Sequence, residues 1–201
     1  MVQLDAASKK ALDAMQKHDE ALLQESISET EALRLEIERL KESVYKDSLT
    51  KTWNRKWLEA NILDEEGRFK EPCTIAIIDL NYFKEINDTV GHIAGDKVLK
   101  YISANLQALD IPAVRYGGDE FLLIAHDPEQ MKIVENKLNA CRNALLKKSL
   151  KYNGYSFKTY FSYGIYECRK DEAFTDALEA ADKKMYEDKE KIKKRVPPPF
   201  G

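Results

Sequence analysis

The sequence predicts an α/β fold of the α+β sandwich type, in which a mostly antiparallel sheet carries helices on one or both faces. Three observations support this prediction. Residues 73–80 form a short apolar run rich in β-branched side chains, which is typical of a buried central strand. Residues 113–125 read as two strands joined at a Gly-Gly turn. Helical patterns lie between these strands and after them.

A long helix is predicted at the N-terminus. Residues 8–46 contain no Gly or Pro and are rich in Ala, Leu, Glu and Lys, a composition that favours helix. Apolar residues near its end follow at steps of four, three and four, as in a coiled-coil seam: Leu33, Ile37, Leu40 and Val44. Ser26 and Thr30 interrupt the seam further back. We expect residues 1–46 to be a dimerising stalk; a single helix docked on its own domain is the alternative.

The remaining elements belong to one domain, predicted to span residues 47–195. After a break at residues 47–50, helical patterns occupy residues 54–61, 95–106, 129–147 and 173–193. A further strand is predicted at residues 157–168. Residues 196–201 contain three consecutive prolines, which cannot continue a helix, so they are expected to form a tail.

Composition excludes several classes of protein. No apolar run approaches the roughly 20 residues that cross a bilayer, so no membrane segment is predicted. The net charge of −3, without a long basic tract before the C-terminus, argues against nucleic acid as the main partner. Three cysteines without CxxC spacing indicate reduced, packed thiols and a cytoplasmic location: Cys73, Cys141 and Cys168.

Acidic residues stand where two strands end. Asp79 closes the apolar strand, and Asp119 and Glu120 directly follow the Gly-Gly turn, where the backbone can approach a large ligand. If the strands are neighbours, these carboxylates converge into the oxygen-rich site that Mg²⁺ prefers, as in metal-dependent phosphoryl transfer. A solvated turn without function is the alternative for the Gly-Gly-Asp-Glu segment alone.

The segment after Asp79 favours a nucleotide site. Residues 80–84 form a tight connection whose N–H groups, with the ammonium of Lys84, are suited to phosphate oxygens. Asn87, His92 and Asp96 follow at short spacing. An aspartate can accept two hydrogen bonds from the N1–H and 2-amino groups of guanine, a donor pair that adenine lacks.

Five motifs stand in order between residues 47 and 194. One is Gly-Gly-Asp-Glu-Phe at 117–121, preceded by Arg-Tyr. The other four are Asp-Ser-Leu-Thr at 47–50 with Asn-Arg at 54–55; Asp-Leu-Asn-Tyr-Phe-Lys-Glu-Ile-Asn-Asp at 79–88 with Gly-His and Gly-Asp; Ser-Tyr-Gly-Ile at 162–165; and Ala-Asp at 181–182 with Met-Tyr and a following lysine. In these motifs residues 47–194 resemble the GGDEF family of diguanylate cyclases, which is named after the pentapeptide. Together the motifs are far more specific than the pentapeptide alone.

The resemblance implies a fold, a reaction and a set of residues. The fold is the ferredoxin-like sandwich of nucleotide cyclases and polymerase palms. The reaction condenses two GTP molecules into cyclic di-GMP within a homodimer and releases pyrophosphate. Two Mg²⁺ ions per site, or Mn²⁺, are expected on Asp79, the Leu80 carbonyl, Asp119 and Glu120. Catalytic roles fall to Asp119, Glu120 and Lys84, and substrate contacts to Phe83, Asn87, His92, Asp96, Gly118, Lys189 and Lys193.

Two positions depart from the family pattern. Asn81 stands where many relatives have a second aspartate, and Lys193 stands where an arginine is common. Lysine still attracts phosphate but lacks the planar fork of arginine. The main alternative to an active cyclase is a non-catalytic GGDEF domain that binds GTP or interacts with another protein.

Overall fold

The computed structural model of the chain describes residues 20–200. Contacts divide the chain into two compact units, with the division between Val44 and Tyr45. The predicted helix over residues 8–19 and the last tail residue, Gly201, lie outside the described residues. The domain limits expected from the sequence, 1–46, 47–195 and 196–201, stay a prediction.

The described residues form six α-helices and seven strands. The helices are α1 (Glu20–Tyr45), α2 (Arg55–Asn61), α3 (Phe83–Val90), α4 (His92–Gln107), α5 (Met131–Leu146) and α6 (Phe174–Lys193). The strands are β1 (Trp53–Asn54), β2 (Cys73–Leu80), β3 (Ala113–Arg115), β4 (Glu120–Ala125), β5 (Leu150–Tyr152), β6 (Tyr155–Phe157) and β7 (Phe161–Cys168).

Five strands form the main sheet in the order β1-β3-β4-β2-β7. All neighbours are antiparallel except the short parallel pair β1–β3. The predicted hairpin is present as β3 and β4, and β4 lies directly beside β2. The α+β sandwich predicted from the sequence is therefore confirmed.

The central strand β2 is buried on both faces because helices cover the sheet on both sides. Ile75 and Ile77 join the core formed with α2 and α6, whereas Ala76 and Ile78 join the core formed with α3, α4 and α5. A continuous apolar run is what a strand covered on both faces needs. This packing fixes the register of β2 and therefore the place of the acidic residue near its end.

Two local predictions were wrong. Residues 80–84 were read as a tight connection, but helix α3, which was not predicted, begins within it at Phe83 and continues to Val90. The strand expected over residues 157–168 is divided: β6 ends at Phe157 and β7 begins at Phe161. Asn153 and Gly154 have φ angles of 47° and 82° and form the turn between β5 and β6. Asn-Gly is a strong hairpin signal that the sequence reading missed.

Helix α1 exposes three of the four residues of the predicted seam, and Leu33 is half-buried. Ile37, Leu40 and Val44 are 42%, 56% and 47% exposed, which is high for three large apolar side chains on one helix. Ser26 and Thr30 turn their hydroxyls back onto main-chain carbonyls four residues earlier. No helix within residues 20–200 is long and apolar enough to cross a membrane.

The three cysteines are buried, free thiols, as predicted. The sheet places Cys73 of β2 directly opposite Cys168 of β7. Their separation in sequence gave no indication of this pairing. Cys141 lies apart from them in α5, in the core on the other face of the sheet.

Candidate active site

The acidic residues converge at the end of β2. Asp79 lies opposite Glu120 of β4, and the Leu80 N–H donates a hydrogen bond of 3.3 Å to the Asp119 carbonyl. On its other side Asp79 faces Ser162 of β7. Residues separated by about 40 positions in the sequence thus share one edge of the site because β2 and β4 are neighbours.

The electrostatics of this cluster are those of crowded carboxylates. Burial and the nearby Asp79 carboxylate raise the pKa of Asp119 above its ordinary value. Burial, followed by Asp79, Asp119 and Asp182, raises the pKa of Glu120. Both groups therefore hold their protons more tightly than free carboxyls, which is typical of a site built to receive a cation.

Two lysines of α6 reach this edge. The Lys189 Nζ donates a hydrogen bond of 2.6 Å to Asp79 Oδ1, and both side chains are largely buried. The Lys193 Nζ lies 4.7 Å from the ring centroid of Tyr82, in the connection between β2 and α3. Helix α6 therefore brings two ammonium groups to the end of β2 and to the connection that follows it.

Arg115 stabilises the Gly-Gly turn by binding its main chain. Its guanidinium donates two hydrogen bonds to the Gly118 carbonyl, at 2.7 and 3.2 Å, and forms an ion pair of 3.1 Å with Asp47. A Cβ atom built on Gly117 would lie 2.6 Å from Glu120 Oε2, whereas one on Gly118 would meet nothing within 4 Å. The Glu120 carboxylate thus folds over Gly117, and Gly118 faces open space.

A second pair of contacts shapes the junction of α3 and α4. The Asn87 side chain lies against Gly95, so that a Cβ atom there would overlap its amide oxygen. Gly91 separates the two helices with a φ of 97°, a conformation that favours glycine. Asp96 follows Gly95 and is exposed, as is His92 at the start of α4.

The remaining predicted residues lie at the start of α3. Phe83 packs against the core at the first position of this helix, and Lys84 beside it is exposed. No side-chain cap covers the helix N-terminus. Within residues 20–200, no hydrogen bond or ion pair joins Lys84, His92 or Asp96 to the carboxylate cluster, so the structure does not bring these three residues into direct contact with it.

The donor set fits a divalent cation that arrives with a phosphorylated ligand. Carboxylate oxygens and the Leu80 carbonyl are hard ligands of the kind that Mg²⁺ prefers. Within residues 20–200, no three His, Cys, Asp or Glu side chains are arranged to enclose a metal ion by themselves. Mg²⁺ rarely uses such cages, since it is usually bound by one or two carboxylates together with waters and substrate phosphates.

Sequence reasoning missed three residues of this region. Asp182 of α6 acts on the pKa of Glu120, and Asp47 is tied to Arg115. In the sequence, Asp182, Asp47 and Arg115 stood out only as members of family motifs. Asp47 and Arg115 are 68 residues apart, and no periodicity relates them. Their pairing follows from the sheet, in which β1 and β3 run side by side.

Asn81 serves a structural contact. It is 2% exposed, and its amide donates a hydrogen bond of 2.8 Å to the Ser162 hydroxyl. Its N–H donates to the Tyr160 carbonyl, which joins the end of β2 to the start of β7. The Asn81 amide oxygen is buried without a hydrogen-bond partner among the described residues, so only the donor side of this amide is used.

Comparisons with known proteins agree with this geometry. A family model described as "Diguanylate cyclase, GGDEF domain" matches residues 44–195. Diguanylate cyclase A of Treponema denticola is 33% identical over 141 residues, which cover 67% of this chain and 37% of that protein. Diguanylate cyclase VdcA of Vibrio cholerae is 31% identical over 182 residues, which cover 83% of this chain and 52% of that protein. The chain thus spans between about a third and a half of these relatives.

Solved structures with the same architecture include the coiled coil and GGDEF domain of DgcB from Caulobacter crescentus in complex with c-di-GMP. The TM-score is 0.67 at 28% identity, and the match covers 86% of this chain and 94% of that one. The family model covers about three-quarters of the chain, in the unit that contains the carboxylate cluster. The chain therefore belongs to the GGDEF domain family of diguanylate cyclases.

Proposed function

We propose that this chain condenses two GTP molecules into cyclic di-GMP and releases two pyrophosphates. The observation that carries the proposal is the convergence of Asp79, Asp119 and Glu120 beside the Lys189 ammonium at the end of β2. Such a site offers both the negative groups that hold divalent metal ions and the positive groups that hold phosphates. The proposed location, the cytoplasm, rests on the free cysteines alone.

The proposed mechanism assigns proton transfer to the acidic pair. Asp119 or Glu120 takes the proton from a ribose 3′-hydroxyl, whose oxygen then attacks the α-phosphorus of the facing GTP in line with the departing pyrophosphate. Two Mg²⁺ ions, or Mn²⁺, would be held by Asp79, the Leu80 carbonyl and this pair, and would supply charge neutralisation to the phosphates.

The proposed substrate contacts surround this centre. Lys84, Lys189 and Lys193 hold phosphate oxygens as point charges. Phe83 and Gly118 border the nucleotide, and Gly118 leaves room for it because no atom lies within 4 Å of the position of a Cβ. Asn87, His92 and Asp96 read the guanine base through its edge.

Two domains must face each other, because each proposed site holds one GTP and supplies half of the reaction. The exposed seam of α1 supports a homodimer in which two such helices pair. Pairing through α1 would raise the effective concentration of one site near the other. We therefore propose the N-terminal helix as a dimerising stalk.

Product identification tests the proposal. The protein is incubated with GTP and Mg²⁺ over a series of enzyme concentrations, and products are identified by mass spectrometry. We expect cyclic di-GMP and pyrophosphate, with a rate that rises faster than linearly with enzyme. Asp119→Ala is expected to abolish turnover, whereas Glu179→Ala, which removes an exposed carboxylate of α6, keeps it. GTP binding without any product would instead favour the non-catalytic alternative.

A further inference from the structure

Strand β7 forms one edge of the sheet, and a carboxylate of α6 closes part of this edge. The Tyr163 N–H donates a hydrogen bond of 3.1 Å to Asp188 Oδ2. The side chain of Asp188 thus takes the place of a neighbouring strand at this position. A charge-assisted hydrogen bond of this kind is stronger than one between neutral groups, so it fixes α6 along β7.

Arg142 of α5 binds the same carboxylate oxygen. Its guanidinium forms an ion pair with Asp188, donates a hydrogen bond of 3.1 Å to Asn139 Oδ1, and lies 4.8 Å from the ring centroid of Tyr163. The Arg142 and Asp188 side chains are 11% and 23% exposed. We call Asn139, Arg142, Tyr163 and Asp188 the edge clamp, because they join helices on opposite faces of the sheet around its open edge.

A close backbone contact also holds α6 against β7. Gly164 of β7 lies so close to α6 that a Cβ atom there would overlap the Ala181 carbonyl oxygen and the Met185 nitrogen. Lys184 of α6 also donates a hydrogen bond of 2.8 Å to the Ile165 carbonyl. The close contact at Gly164 and the edge clamp together set the distance of α6 from the sheet and its rotation about its own axis.

The rotation matters because Lys189 directly follows Asp188. Consecutive residues of an α-helix point about 100° apart, so the helix turns Lys189 towards β2 while Asp188 faces the edge. There its Nζ reaches Asp79, 2.6 Å away. Lys193, one turn later, lies over Tyr82. A small rotation or slide of α6 would move both ammonium groups away from the end of β2.

We propose that Arg142 and Asp188 are positioning residues for the nucleotide: the edge clamp holds α6 so that Lys189 and Lys193 meet the phosphates of GTP. This inference rests on the proposed function, since it concerns the binding of the same substrate. Neither clamp residue touches the carboxylate cluster through any contact within residues 20–200. The edge clamp therefore acts through the lysines.

A double-mutant cycle tests the inference. The affinity for a non-hydrolysable GTP analogue with Mg²⁺ is measured by calorimetry in the full chain and in the variants Arg142→Met, Lys189→Met and the double variant. We expect each single change to weaken binding about tenfold, the size expected for one hydrogen bond to a charged group. Because the edge clamp acts through Lys189 and Lys193, the effect of Arg142→Met should shrink in the Lys189→Met background and fall below about twofold when Lys193 is also changed to Met.

Steady-state kinetics add an independent readout. Arg142→Met is expected to raise KM for GTP and to leave kcat nearly unchanged, as for the loss of a contact made equally in the ground and transition states. Lys183→Met, which breaks an exposed ion pair on the same helix, should change neither constant. Should Arg142→Met fail to fold by circular dichroism, Arg142→Lys and Asp188→Asn replace it, since both keep part of the edge clamp.

The outcomes separate this inference from the proposed function. If the two changes weaken binding multiplicatively while wild type forms cyclic di-GMP, the edge clamp has only a structural role and the inference is wrong. If wild type binds the analogue but forms no product, the proposed activity is wrong and the cycle still decides the positioning role. Absence of any binding by wild type would overturn both.

Discussion

The ammonium of Lys189 lies 2.6 Å from the Asp79 carboxylate, although 110 residues separate them in the sequence. This is the one ion pair formed by any carboxylate of the cluster within residues 20–200. It offsets charge in a place where Asp79, Asp119 and Glu120 would otherwise repel one another. Lysine thereby stabilises the fold at the same edge that is proposed to bind substrate.

Removal of this lysine should destabilise the protein. For Lys189→Met we expect the free energy of unfolding to fall by about 1–3 kcal/mol, because a largely buried carboxylate loses its charged partner. Urea denaturation monitored by circular dichroism measures the change. Lys183→Met on the same helix is the control, and we expect no effect because that pair is fully exposed. Equal stability of Lys189→Met and wild type would contradict the role of the ion pair.

Stability should depend on pH through Asp119. The pKa of Asp119 is raised in the folded state, so folding favours the protonated carboxyl. The resulting stabilisation is fully present below the pKa of the unfolded chain, and it is lost as pH rises through the pKa of the folded protein. Without metal, Asp119→Asn should therefore be more stable than wild type at pH 7, because it removes the cost of burying a charge and the repulsion from Asp79. We expect Tm to be higher by about 2–4 °C per kcal/mol of this relieved cost. The difference should vanish in acid, below the ordinary aspartate pKa. Thermal unfolding of both proteins is measured from pH 7 into acid. A difference in Tm that stays constant over this pH range would contradict the prediction.

Gly95→Ala should separate nucleotide binding from stability. Alanine is the better helix former by about 1 kcal/mol, so α4 should tolerate it. The new methyl group would nevertheless displace the Asn87 side chain, whose amide oxygen occupies that space. We expect GTP affinity to fall about tenfold, as for loss of one or two base contacts, with Tm unchanged or higher. Ala104→Gly, at an exposed position of the same helix, should lower Tm and leave affinity unchanged.

Arg115→Met should impair turnover. The guanidinium holds the Gly118 carbonyl, and its loss would free the loop that carries Asp119. Small misplacements of reacting groups cost up to about 100-fold in rate, so we expect kcat to fall between about 10-fold and 100-fold. Lys132→Met is the control, because Lys132 pairs with Glu135 on the surface of α5. A kcat within twofold of wild type would show that Arg115 does not position the loop.

The seam of α1 can be tested with two matched substitutions. Leu40 and Leu35 are 56% and 58% exposed, but only Leu40 lies on the seam. We expect Leu40→Glu to weaken self-association and activity together, because the charge would be buried in the paired helices. Leu35→Glu should leave both unchanged. Sedimentation velocity measures the oligomeric state, and equal effects of the two substitutions would argue against pairing through this seam.

Much of the fold followed from local patterns. The apolar run of β2 and the glycine turn between β3 and β4 specified the central strands, because burial on two faces and a tight turn leave clear signatures. Helix α3 was missed although Phe83, Ile86 and Val90 recur at helical spacing and pack on the core, because eight residues are a short window for this pattern. The β5–β6 hairpin was missed although its Asn-Gly turn was readable.

The candidate site, too, could be predicted only in part from the sequence. The sequence identified Asp79 and Asp119 because each stands at an abrupt change from apolar strand or glycine to carboxylate. It did not reveal the contact of Asp188 with Tyr163 or of Asp47 with Arg115, since each joins elements that only tertiary packing brings together. The functional roles of all these residues stay predictions until the variants are measured.

The burial of all three thiols makes them reporters of unfolding. Cys73 and Cys168 are 3% and 2% exposed and lie opposite each other on the neighbouring strands β2 and β7. Cys141 is 9% exposed. A thiol reagent such as a nitrobenzoate disulfide should therefore react slowly with the intact domain and rapidly once the sheet opens. Labelling rates with and without nucleotide would then measure how strongly ligand binding suppresses that opening, with no added probe.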